Sequence, residues 1–385
     1  MDFTEQQFQD SMAGNYKSAQ KNCEDIERQV MEEVGRGSIL RVSEEEAQGE
    51  FRGRLAVAAL QGSSAVRIVH DSSYSVGVNH RIKVLDRMRF PGIDDASGVM
   101  MYVDEHVERC PRLMRCSMLY DIARAHKLVP VARQDWGYQA FRLPGNKQQG
   151  NIFLHTRGTF GIASAAYHWQ RLAAGVVRLI HRLGGRELGL LHLLFADDGW
   201  LTALGEYFWR KIIFWMCVLE LVELPLSWKK VRGGLSVQWI GYQLHVDSRK
   251  NGISEKKVKL IVEWIEKHQA SRGVTGRALK SALGRFCFVA GALQHVRPFL
   301  VPLFTWSTVL GPGTFAKFPD AINILLDSVR EEVAKEPMSR PRRWKGEVLE
   351  IFRVDAKAEG DHIVIGGWES QSLGALWTRA GFRWC

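Results

Sequence analysis

The six cysteines, Cys23, Cys110, Cys116, Cys217, Cys287 and Cys385, contain no Cys-x-x-Cys pair. Neither a zinc ribbon nor a disulfide framework is therefore expected, and reduced thiols are the default. Long apolar runs are also missing. The strongest, Ile212–Leu219, is bounded by Arg210, Lys211 and Glu220, far short of the roughly 18 residues that span a bilayer. Met1–Ser11 carries Asp2, Glu5 and Asp10 and no basic residue, which excludes the positive start and apolar centre of a secretory signal. These absences lead to the expectation of an intracellular protein with no membrane partner. Internal repeats and low-complexity tracts are absent as well.

What is present is enough apolar material for a sizeable core: 385 residues, 46% hydrophobic, a length that suggests two or three globular units. The net charge of +10 is unevenly spread. Residues 1–50 hold 12 acidic and 5 basic side chains, leaving 47 basic and 30 acidic, or +17, on residues 51–385. A large basic body suits a polyanionic partner, because lysines and arginines that neutralise phosphates release counterions. Charge alone fits a merely soluble basic protein equally well.

Residues 1–50 read as an acidic, helical or disordered lead-in with apolar periodicity only over Ile26–Val34. From Leu55, short apolar runs separated by Gly, Ser, Asn and Asp predict strands and turns, as in Val66–Val69 and Ser73–Asn79. Ser117–Ala123 and Leu190–Ala196 read as buried strands, with a helix over Ala163–Leu183 between them. A second helix over Glu206–Val222 should close at Leu224-Pro225, since proline disfavours helix in the residue before it. Val237–Val246 gives a further strand pattern. Glu255–His268, opened by a Ser254 cap, and Gly276–Leu293 follow as helices. Residues 311–347, with Pro337, Pro341 and the basic run Arg340–Lys345, read as a linker. Val348–Val354 and His362–Trp368 read as two paired strands.

The sharpest local feature is Phe195-Ala196-Asp197-Asp198-Gly199, two adjacent carboxylates between apolar runs, hence at the tip of a strand-turn-strand hairpin. Two acids at a turn are by themselves ordinary turn formers. Asp121, ending the apolar run Ser117–Tyr120, adds a third carboxylate at a strand end. Two-metal phosphoryl transfer needs several carboxylates to hold ions about 3.5–4 Å apart, and hard oxygen ligands favour Mg²⁺.

With these acids in place, the sequence resembles a reverse transcriptase of the retrotransposon type. Tyr120-Asp121-Ile122-Ala123-Arg124-Ala125-His126, Thr159-Phe160-Gly161-Ile162-Ala163-Ser164-Ala165-Ala166 and Phe195-Ala196-Asp197-Asp198 resemble the three ordered palm motifs. Leu224-Pro225-Leu226-Ser227-Trp228-Lys229-Lys230 is similar to the lysine-bearing fourth motif, and Trp239-Ile240-Gly241-Tyr242-Gln243-Leu244 to the primer-grip hairpin. The resemblance covers roughly residues 55–310. It implies an α+β, right-hand polymerase fold: fingers and palm over 51–246, thumb or connection over 247–310. It implies an RNA-directed DNA polymerase that binds an RNA or DNA template with its primer, and deoxynucleoside triphosphates. Two Mg²⁺ ions, replaceable by Mn²⁺, would be held by Asp121, Asp197, Asp198 and the carbonyl of Ile122. Arg67, His126, Phe160, Gly161 and Lys230 (or Lys229) would contact the nucleotide, with His126 where the family carries a bulky aromatic under the sugar. Trp239, Ile240, Gly241 and Tyr242 would grip the primer, and Arg277, Lys280 and Arg285 would face the duplex. For Arg67, Lys230 and His126 an exposed position without a role remains open.

Residues 348–385 resemble a truncated ribonuclease H start, with Asp355 at the position of a first catalytic aspartate. One acid cannot assemble a two-metal site. There are also departures from the pattern: no lysine between residues 51 and 82, a short Leu60–Val66 segment, and Thr159 and Ala166 where prolines are common. They keep open a second reading, an inactive retroelement-derived protein that binds nucleic acid without catalysis.

Overall fold

The computed structural model describes residues 14–62, 66–73, 78–84, 86, 88–144, 152–185 and 188–341, and the backbone of 351–359 and 362–370. It divides into two units, Met1–Pro341 and Arg342–Cys385.

The first unit begins with helices Lys17–Lys21 and Cys23–Gly35, strand β1 (Ile39–Val42) and the helix Glu44–Glu50. Ile26 and Val30, one helical turn apart, bury against Leu55, Val57, Phe141 and Phe153 as an amphipathic face does. Ser43 opens the next helix with a reciprocal capping box, its Oγ accepting from the Glu46 amide at 3.2 Å while its own amide donates to the Glu46 carboxylate at 2.9 Å. The expected lead-in is therefore corrected over its described part. It belongs to the fold, because its apolar stripe completes a core whose other half comes from residues far along the chain.

Strands β2 (Ala56–Gln61) and β3 (Val66–Asp71) form an antiparallel hairpin. After the short helix Val78–Arg81 comes Ile93–Arg109, which buries Ile93, Ala96, Met100, Val103 and Val107 at helical spacing. Then follow β4 (Arg115–Asp121), tight turns over Ala125–Leu128 and Arg133–Gln139, β5 (Ala140–Arg142) and β6 (Ile152–His155). β6 is the centre of a three-stranded antiparallel sheet, β1-β6-β5, and all four of its residues are buried.

The helix Ala165–Gly184 leads to β7 (Leu190–Phe195) and β8 (Asp198–Leu204), and the helix Phe208–Leu221 leads to β9 (Arg232–Gly234). These strands form a four-stranded sheet in the order β7-β8-β4-β9. β8 buries every residue after Asp198, so both of its faces are covered, and it reads as a continuous apolar run rather than an alternating one.

The Val237–Val246 pattern is two strands, β10 (Ser236–Trp239) and β11 (Tyr242–His245). They are joined at Ile240 and Gly241, with φ +42° and +88°, the left-handed pair that a two-residue hairpin requires. β12 (Lys250–Ile253) extends this sheet. The helices Glu255–Ala270, Gly276–Ala292 and Arg297–Val309 follow, with β13 (Gly273–Thr275) between the first two.

Residues 311–341 are not a linker. They hold β14 (Phe315–Lys317), paired with β13; the helix Asp320–Lys335; and β15 (Met338–Ser339), paired with β12. Ile322, Leu326, Val329 and Val333 recur every three to four residues and bury in the same core as Leu279, Leu283 and Phe286. The prolines and basic run had obscured this stripe. Among the described residues no helix is long and apolar enough to cross a membrane.

The second unit shows β16 (Ile351–Glu359) and β17 (His362–Ser370), antiparallel with Asp355 opposite Gly366. The side chain of Asp355 and the rest of the expected ribonuclease H-like start lie outside the described residues, as do residues 1–13 of the lead-in.

Candidate active site

β4 and β8 are neighbours, and their ladder ends with Asp121 directly opposite Asp198. Directly opposed residues of an antiparallel pair share a face, with Cβ atoms about 4.5–5.5 Å apart. β7 and β8 meet at a hairpin tip formed by Ala196 and Asp197, where Ala196 adopts φ +52°. Two bonds fix this tip: the Ile122 amide donates to the Asp197 carbonyl at 3.0 Å, and Trp169 Nε1 donates to the Ala196 carbonyl at 3.0 Å. Glycine at 199 is demanded by packing, since a Cβ there would lie 2.2 Å from the Tyr120 ring. Chain order thus brings the three predicted acids to one end of two central strands.

Asp121 is buried, whereas Asp198 is open to solvent. Lys230, from the turn Trp228–Lys230, places its Nζ 2.5 Å from Asp121 Oδ2. The pKa of Asp198 is raised, first by partial desolvation and then by the charges of Asp197 and Asp121, with Lys230 opposing. The three acids therefore feel one another.

Hard oxygens that repel one another are the donor chemistry a divalent cation would relieve. The side chains as set do not form a finished cage, however. Among the described residues no group of three or more His, Cys, Asp or Glu side chains is placed to hold a metal, and one Asp121 oxygen is taken by Lys230. In donor type the residues fit a cation. In arrangement they would need Lys230 to yield and the carboxylates to converge.

His126 lies beside this end of the sheet, its ring edge-on to Phe160 at 4.4 Å. Burial lowers its pKa, while the Ala165 backbone and the Asp197 charge act in the opposite direction. Its Nδ1 is buried without a hydrogen-bond partner among the described residues. Phe160 is exposed. Gly161 has φ +95°, and a Cβ there would lie 1.8 Å from the His70 carbonyl oxygen, so only glycine fits. Its carbonyl accepts from Ser72 Oγ and from Asn79 Nδ2. Arg67 stands exposed on β3, and its side chain makes no hydrogen bond or ion pair among the described residues.

Trp239 is buried, and its Nε1 donates to the Asp198 carbonyl at 3.1 Å, which ties the β10–β11 hairpin to the acid pair. Beyond the Ile240–Gly241 turn, Tyr242 stacks on Phe288 at 4.1 Å and donates its hydroxyl to the Phe288 carbonyl. Lys257 Nζ lies 3.5 Å over the other ring. Arg277, Lys280 and Arg285 are exposed at helical spacing on Gly276–Ala292.

Sequence reasoning missed the support beneath the acids. Tyr120 OH sits 2.6 Å from His192 Nε2 and accepts from Trp215 Nε1 at 3.4 Å. Trp200 Nε1 donates to Ser117 Oγ at 3.1 Å. A tryptophan at 169, 200 or 215 reads simply as core, and only the fold shows which carbonyl or hydroxyl its N–H finds.

No protein-family model and no curated protein matches the sequence. Solved structures do match. The dRH form of a foamy viral protease–reverse transcriptase in complex with double-stranded DNA superposes with TM-score 0.61 over 93% of this chain, at 13% identity. The foamy viral protease–reverse transcriptase in complex with an RNA/DNA hybrid gives 0.60, also over 93% and at 13% identity. The fold is reverse-transcriptase-like. The chain spans 55% and 42% of those two proteins, about half their length.

Proposed function

We propose that the chain is an RNA-directed DNA polymerase that adds deoxynucleotides to a primer 3′ end. The observation that carries this reading is the register of Asp121 against Asp198, with Asp197 at the adjoining tip, within a fold like that of reverse transcriptases. Asp121, Asp197 and Asp198 would hold two Mg²⁺ ions, or Mn²⁺, which when bound supply charge stabilisation for phosphoryl transfer. On this reading Lys230 leaves Asp121 and turns toward the triphosphate. His126 and Phe160 border the nucleotide, Gly161 keeps the backbone close beneath it, and Arg67 reaches the phosphates from the β2–β3 hairpin. The Trp239–Tyr242 hairpin orients the primer end, its anchor being the Trp239 bond to Asp198. Most of the rate would then come from positioning and charge complementarity.

One observation favours a second reading, a nucleic-acid-binding protein without catalysis: the Asp121–Lys230 ion pair, with no finished metal cage among the described residues. Primer extension on RNA and DNA templates with Mg²⁺ separates the two. The polymerase reading expects extension by the natural sequence. It also expects a loss of about a hundred- to a thousandfold or more in Asp121→Asn and Asp197→Asn, the lower range being typical of losing one group that acts on the transition state, with duplex affinity nearly unchanged. Duplex binding without extension would establish the second reading.

A further inference from the structure

One cavity has no part in the polymerase reading. It lies between the C-terminal end of helix Cys23–Gly35, the turn Ala125–Leu128 and the helix Ala165–Gly184, and holds about 360 Å³. It is lined by Arg36, Arg124, Lys127 and Arg157 together with aliphatic groups, among them Leu172 and Val176. Three of these cations meet the buried Glu33, whose carboxylate takes Arg36 Nη1 at 3.0 Å, Arg124 Nη2 at 2.7 Å and Lys127 Nζ at 2.8 Å. Three cations thus share one carboxylate, Arg36 also reaching Glu32 at 3.9 Å. Arg157 has no side-chain hydrogen bond or ion pair among the described residues, and its backbone merely bridges to Pro130. Glu223 adds a single acid at the rim.

The network carries more cations than carboxylates, and the cost falls on Lys127, whose side chain is 26% exposed against 41% for Arg124 and 51% for Arg36, because an uncompensated cation costs desolvation where it is buried. Burial lowers the pKa of Lys127 against the pull of Glu33, and repulsion from Arg124 and Arg36 lowers it further. An anion in the cavity would remove that strain. Guanidinium groups pair with phosphate oxygens through two parallel N–H bonds, and three are available here. The volume falls at the small end of the roughly 300–1,000 Å³ of small-molecule sites, room for one nucleotide and not for a duplex.

We propose that this cavity binds a phosphate-bearing ligand of nucleotide size, with Arg36, Arg124, Lys127 and Arg157 holding the phosphate and the aliphatic wall covering sugar and base. The same chemistry is offered by a free nucleotide and by the phosphorylated end of a single strand. The site is separate from the three carboxylates and does not rest on the polymerase reading.

Calorimetric titration of the full chain in EDTA tests it, since EDTA removes the cation through which phosphates would engage the carboxylates. The probes are ADP, inorganic pyrophosphate and a 5′-phosphorylated ten-residue oligothymidylate. ADP is expected to bind. Arg157→Glu should weaken it at least about tenfold, the scale of a lost charge-assisted contact, without lowering the melting temperature, because Arg157 has no side-chain partner among the described residues to lose. Leu172→Ala should weaken ADP several-fold and leave pyrophosphate unaffected. Oligothymidylate binding tighter than ADP and equally sensitive to Arg157→Glu would identify a strand end as the source, and ADP binding alone a free nucleotide. No ADP binding, or binding that Arg157→Glu leaves unchanged, would overturn the proposal.

Discussion

At the scale of single residues, Asp198 carries a cost. Folding places it opposite Asp121 and beside Asp197, and its pKa is raised by desolvation and by those two charges. A carboxyl with a raised folded-state pKa has its favourable contribution at low pH, and loses it as pH rises through that value. At neutral pH without metal its charge therefore opposes folding. Because the side chain is open to solvent the effect is small, and Asp198→Asn should raise the melting temperature in EDTA by about 1–2 °C. On the proposed function, Mg²⁺ should raise the melting temperature of the unaltered chain and leave that of Asp121→Asn unmoved, since a ligand bound only to the folded state stabilises it. Differential scanning fluorimetry decides both, and a lower melting temperature for Asp198→Asn would count against the repulsion. The three acids could be read from the sequence because each directly follows or caps an apolar run. Glu33 could not. Its partners lie at 36, 124 and 127, and no local pattern announces that two distant segments will converge on one acidic side chain.

At the scale of elements, β3 and β6 bring His70 and His155 together with their Nε2 atoms 3.1 Å apart, both buried against Phe141. Burial holds both neutral, aided by Lys127 and, for His155, by His70; the pKa of His70 falls to about 3. His192, under Tyr120, is likewise held at about 3, by burial and then His181. An unfolded chain protonates these rings below about 6.5, so stability should decline as pH drops through 6.5, and keep declining toward 3. Each ring contributes about 1.4 kcal/mol per pH unit, so the three remove roughly 4 kcal/mol by pH 5.5. Melting temperatures from pH 8 to 5.5 measure this. Replacing both His70 and His155 by Leu should flatten the dependence, and a flat profile in the unaltered chain would refute it. Element positions were legible wherever one apolar pattern dominated, as in β7, β8 and the helix Ala165–Gly184. The helix Asp320–Lys335 was not, because its stripe of Ile322, Leu326, Val329 and Val333 lies between proline-bearing segments that suggested a break. Within Val237–Val246 the apolar pattern by itself gives one strand, while the resemblance of Trp239–Leu244 to a hairpin matches the two strands that meet at Ile240 and Gly241.

At the scale of the whole molecule, the uneven charge finds its reason in pairing. Part of the acidity of the first fifty residues is matched within the fold: Glu33 by Arg36, Arg124 and Lys127, Glu44 by Arg142, and Glu50 by Arg133. The basic excess beyond residue 50 that remains, including Arg277, Lys280 and Arg285 on one exposed helix face, is what a polyanion would meet. On the proposed function, primer–template affinity should fall steeply with salt, each phosphate contact adding about 0.9 to the logarithmic slope for B-form DNA. Fluorescence anisotropy between 50 and 200 mM salt, about the range over which such contacts are usually resolved, reads it, and a slope near zero would remove the electrostatic contribution. The arrangement of β1 also bears on how the chain is made. β1 pairs with β6, and Thr156 Oγ1 donates to the Gly37 carbonyl across 119 residues. On a ribosome adding about 5–20 residues per second, the emerged amino-terminal helices must wait on the order of ten seconds for the strand that covers them. Glu44 and Glu50, whose partners Arg142 and Arg133 lie 98 and 83 residues further along, would stay unpaired through much of that interval, so the waiting segment would carry its charge into water before the fold neutralises it.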